Sequence, residues 1–300
     1  MSQLSLIIRN EYKTDISAKS FWISTFIVPI LMVVFGVVAG YLLSESDSAM
    51  KLQNSIMEPD PDSMTPLKAI GLMMGMFLTI FIMMYGSMIF QKVKTEKTNR
   101  IVEILATCVP GRTMMLAKII SVGLVGLTQL FLWGVIIIAL VAGIVVIFSV
   151  TIPWNEILTY DYVMAFVWSI LYFVGGYIFF GSLFAAVGAM TDKNNENQEY
   201  MAVLTFILLF SFYIGEYAVD HGSGITIRVL SYIPFTSPTI GAVNAITQTA
   251  PLWESVISIL ILYFCAWGAM AIAGKIYTSS ILLKGKKFTP RDIVTFFKAK

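Results

Sequence analysis

The sequence predicts an all-α, polytopic membrane protein, and three observations carry that reading. Apolar residues fill 57% of the 300 positions and charged residues only 13%, for a mean hydropathy of +0.81. A water-facing surface needs roughly a quarter of its residues charged. Six long apolar stretches, at 21–43, 69–90, 119–149, 162–190, 200–219 and 253–274, are almost free of charge. Each is long enough for a helix rising roughly 1.5 Å per residue to cross a hydrocarbon core of about 30 Å. None alternates with a period of two, so barrel strands are excluded and each stretch must satisfy its backbone hydrogen bonds as a helix. Soluble enzymes, disordered tails and disulfide scaffolds are excluded with them, and a net charge of +2 implies no nucleic-acid partner.

The elements follow in order. Residues 1–20 mix Arg9, Glu11, Lys13, Asp15 and Lys19. Leu4, Ile8, Tyr12 and Ile16 form one stripe opposite Arg9, Lys13 and Ser17, which predicts an amphipathic helix at the membrane surface. The first span is too long, and too poor in small residues at a cleavage point, for a signal peptide, so it is expected to stay in the mature protein. Gly36 and Gly40, then Gly71 and Gly75, have the spacing that lets helix backbones approach closely, or are incidental glycines in apolar helices. The third and fourth spans exceed what a perpendicular helix needs, and so either tilt or continue as helix beyond the bilayer. Residues 44–66, rich in proline and acids, are too few for a folded domain and read as an acidic loop. The whole chain, 1–300, reads as one transmembrane domain without internal repeats.

Charge orients it. Arg9, Lys13 and Lys19, the six cations of 91–118, Lys193 and the seven cations beyond 274 put seventeen positive side chains on one side, against Lys51, Lys68 and Arg228 on the other. Positive loops stay inside, so both termini are expected in the cytoplasm.

Between the second and third spans, Ile101, Ile104, Leu105 and Cys108 recur at helical spacing while Glu96, Arg100 and Glu103 mark another face. Thr95 can cap the start of such a helix, Glu96 can pair with Arg100, and Pro110-Gly111 can stop it. The 96–107 segment is thereby expected to be a short, rigid amphipathic helix, either receiving force from a docked partner or lying among headgroups.

At this loop the chain resembles a known family. Glu96-Lys-Thr-Asn-Arg-Ile-Val-Glu-Ile-Leu-Ala-Thr107, then Pro110 and Met114-Met-Leu-Ala-Lys118, resembles the first cytoplasmic loop of type-2 ATP-binding-cassette (ABC) exporter permeases, closest to the sodium-export branch. Glu11 with Lys19-Ser-Phe, Pro29, Ser231-Tyr-Ile-Pro-Phe-Thr-Ser-Pro238 and Leu283-Lys-Gly-Lys-Lys287 agree in order and side, so the resemblance covers nearly the whole chain. It implies a multi-pass permease of the cytoplasmic (inner) membrane, an exporter subunit paired with a second permease chain, identical or not. Its coupling loop would dock a separate ABC ATPase through Glu96, Asn99, Arg100, Glu103, Thr107 and Arg112, with Glu103 central, and the N-terminal amphipathic helix would border the same ATPase instead of serving only as a membrane-surface anchor. ATP and Mg would be bound by that partner and no cofactor by this chain. The short 44–66 segment departs from the large outer domain usual in the sodium-export branch, so sodium does not carry over as substrate.

The residues themselves agree that the chain holds no ATP site. Neither Gly274-Lys275 nor Gly285-Lys286 has the earlier glycine a phosphate-binding P-loop requires. The lone His221 and two lone cysteines, Cys108 and Cys265, have no metal-ligand spacing, so no enzyme is expected. Gln129 is expected to hydrogen-bond a neighbouring helix or a substrate, and Glu216 to snorkel outward or bind one. Residues 220–252, with Pro234, Pro238 and Asn244, predict short re-entrant or interfacial helices at the outer face, or a covering loop; with Gln129 and Glu216 they are the candidates for a transport path or gate. The polar 194–199 segment reads as a turn or a second ATPase contact, and Thr289-Pro-Arg-Asp292 as the start of a basic amphipathic helix on anionic lipid. An ion-driven secondary transporter and a non-transporting docking scaffold are the rival readings; the first normally shows inverted repeats and midplane charges.

Overall fold

A computed structural model describes residues 3–30, 34, 38, 66–98, 109–148, 159–191, 199–221 and 224–282. Among them the chain is helical and without strands. The elements are α1 (Gln3–Ile16), α2 (Lys19–Ile30), α3 (Pro66–Thr98), α4 (Gly111–Phe148), α5 (Tyr160–Met190), α6 (Glu199–His221), α7 (Ile225–Tyr232), a π turn (Ser237–Gly241), α8 (Ala242–Ile246) and α9 (Leu252–Leu282). Among the described residues five helices, α3, α4, α5, α6 and α9, are long and apolar enough to cross a membrane. The first expected span, 21–43, overlaps α2, a shorter apolar helix, and most of its remainder lies outside the described residues. So do Gly36 and Gly40, the 44–65 acidic segment, most of the 194–199 turn and the 289–292 tail.

Polarity does not stop these helices. α3 has 33 residues and α4 has 38, well beyond the 20 or so that a bilayer requires. The second and third spans therefore continue as helix past their apolar cores, whereas the fourth, α5, starts and ends within two residues of its apolar run. The expected start of a separate helix at Thr95–Glu96 is corrected: α3 runs unbroken through Thr98, so Thr95 is no cap. The backbone ladder needs no apolar side chains, and the charges of the last turns find partners elsewhere. Pro110 likewise opens α4, its carbonyl accepting from the Thr113 and Met114 amides at 2.9 and 3.2 Å.

The core lies where α3, α4 and α5 meet. Phe81 sits edge-on to Trp133 at 5.2 Å and to Phe173 at 5.8 Å, and Tyr177 buries its ring while donating to the Ile119 carbonyl at 2.6 Å. Glycine sets the separations. A Cβ at Gly75 would lie 2.7 Å from Val243 of α8, and one at Gly188 would lie 2.7 Å from the Phe90 backbone oxygen. Gly71 and Gly75 thus admit α8 against α3, while Gly188 lets α5 reach the α3 backbone. The outside of the bundle is apolar, with Phe131, Phe206 and Phe264 exposed, as a chain surrounded by hydrocarbon requires.

Between α6 and α9, residues 224–251 form α7, the π turn and α8. Side-chain hydroxyls supply bonds that a proline-broken backbone forgoes. Ser211 of α6 bonds Thr239 and the Thr236 carbonyl; Ser237 and Ser258 meet at 2.8 Å; Ser258 donates to the Ser231 carbonyl at 2.6 Å. Arg228 stands 3.6 Å from Glu254.

Candidate functional site

The most concentrated chemistry lies where α3 ends and α4 begins. Glu11 and Asp15 are four residues apart on α1, Lys92 and Glu96 four apart on α3, so each helix presents its pair on one face. Lys118 comes from the second turn of α4. The Lys92 ammonium lies 2.8 Å from Glu11 and 2.6 Å from Asp15. That of Lys118 lies 2.9 Å from Glu11 and also bonds Glu96. Tyr277 of α9 donates to the second Glu96 oxygen at 3.4 Å. Four helices are therefore tied by two ammonium groups, three carboxylates and a phenol.

Burial makes the arrangement consequential. The Lys118 side chain is 2% exposed, and an ion so far from water persists only when paired. Burial pushes the Glu11 carboxyl upward, but Lys118 and Lys92 outweigh it and hold the group below its usual range. At Asp15 burial prevails over Lys92 and the carboxyl is raised. A cleft of about 380 Å³ opens beside the cluster, lined by Asn10, Glu11, Thr14, Asp15, Gln91, Lys92, Thr95 and Glu96. The same end is braced further: Lys97 donates to the Ala189 carbonyl of α5 at 2.8 Å, and a Cβ at Gly111 would meet Thr278 of α9 at 2.8 Å. No group of three potential metal ligands occurs among the described residues. The chemistry available here is mechanical: it holds the two ends of the 99–108 segment to α1 and α9 as a unit.

The sequence-predicted residues distribute as follows. Glu96 is inside the cluster. Arg112 is exposed in the first turn of α4 and its stem packs over Gly274 of α9. Asn99, Arg100, Glu103 and Thr107 lie outside the described residues. Gln129 is buried, accepting from Tyr85 of α3 at 2.6 Å and donating to Ser24 of α2 at 3.3 Å. Glu216 is exposed on α6. Pro238 is buried, placed where a Cβ on Gly176 of α5 would touch it at 2.7 Å, and Pro234 is half-buried. Asn244, also buried, holds Thr249 through its side chain and backbone. Gln129, Glu216 and Asn244 thus have different surroundings. Sequence reasoning missed Lys118 as a centre, although its neighbours were a signal. A lysine among Met114, Met115, Ala117 and Ile119 must either snorkel or be paired.

Comparison with known proteins agrees with this geometry. Residues 53–275 match the model of the family described as ABC-2 family transporter protein. The chain is 27% identical over 232 residues to "Uncharacterized protein YhaP" of Bacillus subtilis, covering 73% of this chain and 53% of that protein. It is 23% identical over 209 residues to "Uncharacterized protein MJ1024" of Methanocaldococcus jannaschii, covering 70% and 49%. The chain thus spans about half the length of these curated relatives. No solved structure matches it. A match over most of the chain, on a bundle of long apolar helices, places this protein in the ABC-2 family of multi-pass membrane transporter proteins.

Proposed function

We propose that this chain is the permease subunit of an ATP-driven exporter, working with a separate ABC ATPase that docks on the 96–107 segment through Glu103. In this reading the chain crosses the cytoplasmic membrane six times, α2 starting the first crossing, with both termini inside. A second permease chain completes a substrate path. ATP and Mg stay on the ATPase, and this chain catalyses nothing by itself. Residues of the α6–α9 connection, Pro234, Pro238 and Asn244 among them, gate the outer end, and Gln129 and Glu216 are the polar groups nearest to a path.

Family membership and the one-sided distribution of cations support this, and one observation carries it. The buried Lys118 ties α4 to Glu96 of α3 and Glu11 of α1, so the two helices that flank the docking segment cannot be displaced independently. A push or pull on that segment moves both as one body, which a driven conformational switch requires.

Tagged protein extracted in mild detergent is expected to bring down an ATPase chain identifiable by mass spectrometry, and Glu103→Lys is expected to lose it at least tenfold while inserting normally. A charge reversal at a central contact costs more than about 1.4 kcal/mol, the equivalent of that factor. Folded protein with no ATPase in either sample would instead favour an ion-driven transporter or a docking scaffold.

A further inference from the structure

The two faces of α1 carry opposite charge. Glu11 and Asp15 turn inward to Lys92 and Lys118, while Arg9 and Lys13, offset by two residues, stand on the opposite side and are exposed. Beside Arg9 a groove of about 360 Å³ separates α1 from α4, lined by Leu4, Ser5, Ile8, Arg9, Tyr12 and Leu124. Its floor is fixed, because the Tyr12 hydroxyl meets that of Thr128 at 2.8 Å. Its walls are mostly apolar, and Leu124 belongs to a helix long and apolar enough to span. Tyr12 lines the groove itself, and Trp22 is exposed in the first turn of α2, just after the turn that ends α1. Tryptophan and tyrosine in such positions sit at headgroup depth.

We propose that this groove is a binding site for an anionic phospholipid: Arg9 takes the headgroup phosphate, Lys13 adds to the positive field, and Leu4, Ile8 and Leu124 receive the upper part of an acyl chain. A soluble anion would have no use for the apolar wall, and a zwitterionic lipid would gain less from a helix face that has buried its acids and displays its bases. The site differs from a simple surface anchor in being a seat of fixed shape between two helices that both contribute to the charged cluster. A lipid there wedges α1 against α4.

The test uses the full chain in nanodiscs of phosphatidylcholine doped with a phosphatidylglycerol that carries a photoreactive group on its acyl chain. Adducts are expected on the peptides containing residues 3–12 and Leu124. Arg9→Gln is expected to lower their yield roughly fivefold, the loss of one cation near a lipid phosphate, while Arg9→Lys retains most of it. Leu124→Trp, which fills the groove and leaves Arg9 in place, is expected to lower it too. Equal labelling by the matching phosphatidylcholine probe, or adducts insensitive to Arg9→Gln and Leu124→Trp, would overturn the proposal. Complete loss of labelling when a cytoplasmic partner protein is bound would also overturn it, assigning the face to protein. Because Arg9 is exposed, its variants are not expected to alter folding, which thermal unfolding checks.

Discussion

Lys118→Met is expected to destabilise the protein by about 3–5 kcal/mol, the cost of removing one partner from a buried ion pair. The loss arises less from the attraction given up than from Glu11 and Glu96, which would keep their negative charge with a single cation, Lys92, near Glu11. Neutralising those carboxylates as well separates the two effects. The triple variant Lys118→Met, Glu11→Gln, Glu96→Gln is expected to recover much of the lost stability. It removes Lys118 together with both of its carboxylates and leaves Lys92 paired with Asp15, and neutral replacement of a complete buried ion triad is close to neutral. Thermal or denaturant unfolding in detergent measures both. Equal stability of the single variant and the native protein would mean that Lys118 reaches water and the cluster holds nothing.

Gly188→Val is expected to cost on the order of 3 kcal/mol, at the upper end of overpacking. Two effects compete. Replacing glycine inside a helix stabilises it by somewhat under about 1 kcal/mol, valine being a weak helix former. Against that, the new Cβ would sit 2.7 Å from the Phe90 carbonyl oxygen and 3.2 Å from its Cα, backbone atoms that cannot rotate away. The α3–α5 crossing must open, and with it the contact that Lys97 makes to Ala189 near the same end. Gly134 is the control: nothing lies within 4 Å of a Cβ there, so Gly134→Val leaves only the small helix-propensity gain. Unfolding of the two variants side by side checks the difference, and equal effects would refute the packing argument.

What the sequence made legible follows from which physics is local. The burial of helices in hydrocarbon depends on runs of composition, so the apolar centres of α3, α4, α5, α6 and α9 could be placed within a few residues. The ends of α3 and α9 and the start of α4 could not. A run of uncharged residues marks the edge of the lipid, whereas a helix ends where its backbone ladder stops, and α3 carries Lys92, Glu96 and Lys97 inside its last turns. Thr95 looked like a cap for that reason, although only its place past an apolar run recommended it. Glu96 stood out in the sequence as a coupling residue, but its place in the charged cluster did not: its partner Lys118 is 22 positions away and Glu11 lies 107 from Lys118, pairings that no spacing rule connects. Gly71 and Gly75 were legible as a close approach, yet their partner turned out to be the five-residue α8 rather than a long span.

The charged cluster is expected to pass a movement of the docking segment to α3 and α4. The distance between spin labels at the exposed Met73 of α3 and Leu252 of α9 reads this out, followed as ATP is added to a complex with an ATPase that co-purifies. An ATP-driven change is expected with the cluster intact, and its loss in the triple neutral variant while the ATPase stays bound and hydrolyses ATP. An undiminished change in that variant would show that force reaches the bundle without the cluster.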